Sequence, residues 1–197
     1  MAIKFEKTSY RGRISPFWRR ERQVLPGGYT PLQSLNVGDI IPEGTFLQIF
    51  TDSLKAAIVK VGGVLAGGTT SAIRVSKGNC FSVGDVVMKV GADSTTTIKA
   101  IDRSNVSYDV IEVATAITGI AEGDYLQEAD AGTKAPKYVA NAVLENTLEV
   151  EKSGLPTFDV TYDCVLLKSV IAPFPADWLI ENGFALKANP RIVIINQ

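Results

Sequence analysis

Histidine is absent from the 197 residues of this chain. Its absence removes the most common general base of enzymes, the most common zinc ligand and every nucleophile that a histidine would activate. Only two cysteines are present, Cys80 and Cys164, so there is no disulfide framework and no zinc site of the usual nitrogen and sulfur kind. A single bridge between them stays open, as does chemistry by carboxylates or a lysine. The composition therefore favours a protein that is not an enzyme and holds no cofactor.

Long apolar runs are also lacking, because none approaches the roughly 20 residues that a helix needs to cross a bilayer. Hydrophobic residues nevertheless make up 46% of the chain, and its mean hydropathy is +0.13. Chains that stay disordered are depleted in such residues. The sequence is therefore expected to fold, as one large domain or two small ones.

Positive charge is concentrated in the first 22 residues. They hold seven basic and two acidic side chains, a net charge of +5, whereas the remainder holds 13 basic and 19 acidic side chains, a net charge of −6. Residues 15–31 have the sequence SPFWRRERQVLPGGYTP, whose glycines and prolines are typical of a turn. We therefore predict an extended, basic and aromatic N-terminal arm over residues 1–31. A β-rich body over residues 32–197 follows, either undivided or as two small β subdomains.

The arm combines arginines with aromatic side chains, which is typical of a surface that binds a protein partner. Phosphate neutralisation and base stacking would also suit nucleic acid, and packing onto the chain's own acidic body stays open. Pro16 and Pro26 interrupt any amphipathic helix, which disfavours a membrane surface. We predict a protein partner, with neither nucleic acid nor membrane. The residues predicted to contact a capsid or a second subunit are Arg13, Phe17, Trp18, Arg19, Arg20 and Arg22.

Strand candidates are short and frequent in the body. The clearest is TFDVTYDCVLL (157–167), in which Phe158, Val160, Cys164 and other apolar residues alternate with polar ones. This period of two predicts a half-buried strand with Cys164 in the core. Only PADWLIENG (175–183) is typical of a helix, which predicts one short C-terminal helix near residues 176–182. The pattern predicts an all-β fold, a partly closed barrel or sandwich of short antiparallel strands.

One phrase occurs three times, as LNVGDI (35–40), FSVGDVV (81–87) and IAEGDY (120–125). Glycine supplies a positive φ angle at no steric cost, and an aspartate carboxylate can accept a hydrogen bond from its own turn. The spacing between the copies is too unequal for a regular repeat protein. We interpret the phrase as a turn through which the chain enters a strand.

Two long stretches carry a resemblance to a known family. They are GDVVMKVG…TIKAIDRSNVSYDVIEVATAITGIAEGDYLQEA (84–129) and KYVANAVLENTLEVEKSGLPTFDVTYDCVLLKSVIAPFPADWL (137–179). They resemble the head fibre and head decoration proteins of tailed bacteriophages, as in phages of Bacteroides-type hosts, and the likeness spans roughly residues 34–183. It depends on the order of the strand turns and on phrases such as Gly123-Asp124-Tyr125-Leu126, without a catalytic signature.

The resemblance implies a structural virion component on the capsid exterior, commonly a homotrimer, whose partner is the major capsid protein. It further implies the bacterial host cytoplasm as the location during assembly, and a role in stabilising the shell or in host adhesion, with a host surface glycan as a candidate further partner. It supplies no catalytic residues to carry over.

Two rival functions stay open at this point. A carbohydrate-binding β module would need an aromatic platform, for which the candidates are Tyr108, Tyr125, Tyr138 and Trp178. A carboxylate-dependent glycan hydrolase would need two carboxylates about 5–9.5 Å apart. Asp159 and Asp163 lie four residues apart on one predicted strand, which places them about 13 Å apart. These two aspartates are therefore not such a pair, and a pair formed by carboxylates on neighbouring strands stays open.

Overall fold

The computed structural model describes residues 14–152, 155–181 and 183–196, and in this part of the chain it confirms the predicted all-β fold. None of the helices there is both long and apolar enough to cross a membrane. The elements, in chain order, are β1 (Phe17–Pro31), β2 (Ile40–Ile41), β3 (Phe46–Phe50), β4 (Lys55–Ile58), β5 (Val61–Gly63), β6 (Ala72–Ser76), β7 (Val86–Lys89), β8 (Thr95–Asp102), β9 (Tyr108–Val113), β10 (Tyr125–Glu128), β11 (Ala142–Leu144), β12 (Leu148–Glu149), β13 (Phe158–Leu167), a 3-10 helix (Ala176–Trp178) and β14 (Ile192–Ile195).

The first large sheet is a partly closed barrel that β1 completes. Its strand order is β1-β4-β3-β11-β13-β14, and β1 also pairs with β13, so that the sheet curls back on itself. β1 runs antiparallel to β13, from Phe17 opposite Leu166 to Tyr29 opposite Phe158, and its last two residues run parallel to β4. Residues 17–31 of the predicted arm are therefore a strand of this sheet, and the sheet does not divide at residue 31.

The second large sheet is a smaller barrel built from a continuous stretch of chain. Its order is β5-β10-β7-β8-β9-β6, with antiparallel pairing between all neighbours. An isolated bridge between Val64 and Val75 joins its two edges. All six strands come from residues 61–128, between β4 and β11 of the first barrel. The chain therefore enters the second barrel directly after β4 and returns to the first with β11.

Each barrel has its own apolar core. Phe81, Ile98 and Leu126 are among the fully buried residues of the second barrel. One face of the first sheet buries a cluster around Tyr29 and Phe158. The opposite face buries a second cluster. That cluster includes Phe17, Phe46, Cys164, Phe174 and Leu186. Cys164 is a buried core residue as predicted, and neither cysteine forms a disulfide.

The three Gly-Asp phrases are the same turn, which confirms the interpretation from sequence. In each, the aspartate carboxylate accepts the backbone N–H of the residue three positions earlier at 2.7 Å. The glycine before it has φ of 90°, 93° or 87°. A side chain at this angle would be strained, which is why the turn needs glycine. The aspartates are Asp39, Asp85 and Asp124.

The predicted C-terminal helix is shorter than the sequence pattern indicates. A single 3-10 turn spans Ala176–Trp178, and Leu179 after it is already extended. Leu179 forms a β-bridge with Leu186, and Leu186 is buried in the core of the first barrel. Tertiary pairing at Leu179 thus overrides the local tendency to continue the helix.

Candidate functional site

The residues predicted to bind a partner fall into three groups in the structure. Phe17 is 4% exposed and packs in the core cluster, whereas Trp18 is half-buried. Arg22 is partly buried. Arg13 and the side chains of Arg19 and Arg20 lie outside the described residues.

Arg22 is engaged within the chain. Its guanidinium forms an ion pair with Glu145, which is buried, and lies 4.7 Å from the centre of the Phe17 ring. The other carboxylate oxygen of Glu145 accepts a hydrogen bond from the Thr161 hydroxyl. Phe17 and Arg22 therefore pack against the rest of the same chain, which is the alternative of self-packing that the sequence left open. A partner contact by the six residues stays a prediction.

The Arg22 pair leads to a stability prediction. Arg22→Ala is expected to lower the free energy of unfolding by about 3 kcal/mol, because it leaves a buried carboxylate without its cation. Arg191→Ala is the control, since the Arg191 to Asp163 pair is 4.0 Å long and exposed, and should be worth less than about 0.5 kcal/mol. Urea denaturation of both variants measures the difference. Equal losses would show that the Glu145 carboxylate is not held by Arg22.

A junction cleft of about 650 Å³ lies between the two barrels, but its polar groups are used internally. The Asp109 carboxylate accepts hydrogen bonds from Lys77 at 2.5 Å and from Asn79 at 2.9 Å. Arg103 donates to the backbone carbonyl of Phe81, and Lys60 is paired with Asp85 at 2.7 Å. These paired groups fix the walls of the junction cleft, although the side chains of Lys77 and Arg103 are 37% and 56% exposed.

Two ion pairs that each include a buried charged side chain were not predicted from the sequence. Lys60 and Asp85 are both largely buried, and Glu128 is buried beside Lys137 at 2.6 Å. The hydrogen bond to Glu128 raises the pKa of Lys137 above its usual value. One signal could have indicated the first pair, because Asp85 belongs to a Gly-Asp turn that fixes its carboxylate. The second pair lies across a short turn in which Ala129 bridges Pro136, and this turn was not predicted.

A second cleft, of about 620 Å³, is defined here as the aromatic cleft. Trp178 reaches it from the 3-10 helix and is held by aromatic contacts, edge-to-face with Phe46 at 5.5 Å and stacked with Phe174 at 6.2 Å between ring centres. The charged and polar side chains that line it come from several loops, from β10 and from the 3-10 helix. They are Asp93, Gln127, Lys134, Tyr138, Asp177 and Lys187.

Of the four aromatic residues proposed as a sugar platform, the structure brings two together. Trp178 and Tyr138 both line the aromatic cleft. Tyr108 lies under the Arg74 guanidinium, 4.7 Å from it, and Tyr125 packs on the core of the first barrel. Neither of the last two lines the aromatic cleft.

Groups that could carry out catalysis are constrained or scattered. Asp163 lies 4.0 Å from Arg191, and Asp159 accepts a 3.5 Å hydrogen bond from Asn146. Burial raises the pKa of the Cys80 thiol to about 11 and that of the Cys164 thiol to about 12. Both thiols therefore stay protonated at neutral pH and are poor nucleophiles. Within the described ranges no group of acidic side chains and cysteines has the arrangement of a metal site.

Comparison with known proteins gives no relative of this chain. No family model matches the sequence, and no match was found among curated proteins or among solved structures.

Proposed function

We propose that the chain is a structural virion component, a head fibre or decoration protein that attaches to the exterior of a phage capsid as a homotrimer. It has no catalytic role in this proposal. The partner is the major capsid protein, and the chain passes through the cytoplasm of the bacterial host during assembly. Support comes from the resemblance over residues 34–183 and from the two small barrels, with the buried Lys60 to Asp85 ion pair where the chain crosses between them. Such a body suits a rigid module that is displayed in many copies.

The observation that carries the proposal is the way in which the basic segment enters the fold. Phe17 and Arg22 hold β1 in the first barrel, while the thirteen residues before Ile14 contain four basic side chains and one acidic side chain. A net charge of +3 is thus attached directly to an anchored strand. Arginines bind carboxylates through paired, directional hydrogen bonds, and many copies on one shell gain from avidity. An acidic capsid surface is the matching partner.

The proposal is tested on virions and on capsids. We expect the chain in virions purified from the phage that encodes it, visible on the capsid exterior by immunogold labelling. We expect light scattering to give three times the chain mass of 21.2 kDa for the purified protein. Absence from purified virions would contradict the proposed function outright.

Capsid binding should depend on the charge of the first thirteen residues. The double variant Arg11→Glu/Arg13→Glu is expected to reduce co-sedimentation with capsids that lack the protein at least tenfold at low salt, and the difference from the wild type should narrow at higher salt because screening weakens the contacts that the variant removes. The control is Lys99→Glu/Lys168→Glu, which makes the same charge change at exposed positions of the body. If the two double variants bound equally, net charge alone would explain the attachment and the segment would have no specific role.

A further inference from the structure

Most of the polar side chains of the junction cleft are paired with one another, whereas those of the aromatic cleft are not. Gln127 lines the aromatic cleft, and no hydrogen bond to a described residue engages its amide. The residue is only 5% exposed, but its amide atoms are not among the fully buried polar atoms that lack a partner, so they reach the cleft surface. The Gln127 amide is therefore open to a hydrogen-bonding ligand that enters the cleft.

Two aromatic residues of the cleft also have polar atoms available. In the part of the chain that the structure describes, neither the indole N–H of Trp178 nor the hydroxyl of Tyr138 is engaged in a hydrogen bond, although both side chains are partly buried. The Trp178 ring is held in place by Phe46 and Phe174, so its position is set before any ligand binds. A fixed aromatic surface beside several hydrogen-bonding groups is typical of a pocket for a small ligand.

The charges at the cleft indicate what kind of ligand it takes. Asp93 and Asp177 contribute two carboxylates, and Lys134 and Lys187 contribute two ammonium groups. None of the four forms an ion pair with a described residue, and the two signs cancel. A strongly charged ligand would gain from one pair and be repelled by the other. An uncharged ligand with many hydroxyl groups can donate to the carboxylates and accept from the ammonium groups without repulsion.

We propose that the aromatic cleft is a binding site for an uncharged oligosaccharide. A sugar ring has an apolar face of C–H groups, which would lie on Trp178, and hydroxyls at its edge, which would bond to Gln127, Tyr138 and the cleft's charged side chains. The volume of about 620 Å³ is within the range of ligand pockets. The inference stands on the cleft alone, so it adds a ligand to the proposed virion component but does not need that role to be correct.

Isothermal titration calorimetry of the full chain tests the site. The probes are four neutral sugars, maltotriose, cellotriose, mannotriose and N-acetylchitotriose, with 3′-sialyllactose as the charged comparator. We expect saturable binding of at least one neutral sugar and none of the charged one. Gln127→Leu and Tyr138→Phe should each weaken that binding at least tenfold. Gln127→Leu should leave the melting temperature nearly unchanged, because it removes no hydrogen bond to a described residue.

The matched control is Tyr108→Phe, which removes the same hydroxyl from a tyrosine outside the cleft and should leave the affinity unchanged. Three results would overturn the inference: no saturable heat with any neutral sugar, binding of 3′-sialyllactose alone, or affinity of the wild-type level in both cleft variants. Failure here would leave the capsid assay unaffected, and absence from virions would leave the sugar titration unaffected. The two proposals therefore fail separately.

Discussion

A protein that lacks residues 1–31 is expected not to fold, whereas one that lacks only residues 1–13 keeps β1 and is expected to fold. The longer deletion removes β1, which closes the first barrel by pairing with both β13 and β4. It also removes Phe17 and Tyr29 from the core, each 4% exposed. Loss of one buried aromatic side chain costs about 3–5 kcal/mol, and whole domains have only about 5–15 kcal/mol.

Two further costs add to this deletion. Glu145 loses Arg22 and is left buried without its cation. The strand β13 is left with an unpaired edge, which favours aggregation. The deletion of residues 1–13 leaves β1 intact and is the matched control. Circular dichroism melting and the dispersion of amide signals in NMR spectra measure the outcome. A cooperative transition near the wild-type temperature in the longer deletion would show that β1 is dispensable.

The contrast between β13 and β1 shows what sequence could predict. The apolar residues of β13 and the adjacent Gly-Asp residues of the three turns are local patterns, so the strand and the turns could be predicted directly. The single buried face predicted for β13 could not, because a register shift near its middle places Phe158 and Cys164 in different core clusters.

In β1, Pro26, Gly27 and Gly28 are typical of a loop. The pairing with β13 shifts register between Leu25 and Tyr29, where Gly28 has φ of 60°. The proline and the two glycines therefore lie in an irregular part of β1 and do not end the strand. Its partner strand lies more than 120 residues away, which no local pattern shows.

The candidate site was partly predictable for a similar reason. The sequence could predict Trp178 and Tyr138 as candidates because they are aromatic. It could not distinguish them from Tyr108 and Tyr125, which are aromatic too. That distinction depends on which loops meet beside β10. Gln127 has no distinctive sequence signal, since its burial follows from strand pairing on both sides, with β5 and with β7.

Lys60→Met is expected to lower the free energy of unfolding by about 3–5 kcal/mol. Lys60 lies between β4 and β5, where the chain crosses from the first barrel to the second, and its ammonium is 2.7 Å from the Asp85 carboxylate. The two side chains are 6% and 13% exposed. Breaking a buried pair leaves one uncompensated charge out of water, which is the costly case. Urea denaturation measures the loss.

The repeated turn supplies an internal control for this prediction. Asp124 occupies in the third Gly-Asp turn the position that Asp85 occupies in the second, and its partner Lys89 lies at 2.8 Å, but that pair is 25% and 27% exposed. The Lys89 ammonium holds the pKa of Asp124 below its usual value, so the contact is present, although solvent screens it. Lys89→Met should therefore cost no more than about 1 kcal/mol.

The double variant Lys60→Met/Asp85→Asn separates the cost of a buried, unpaired Asp85 charge from the loss of the attraction between Lys60 and Asp85. Asparagine keeps an oxygen that can accept the Ser82 N–H of the turn but carries no charge. If the loss in Lys60→Met arises from the stranded carboxylate, the double variant should recover most of it. If instead Lys60→Met and Lys89→Met lost equal stability, burial would not set the strength of these pairs. The junction between the barrels would then depend on its apolar contacts alone.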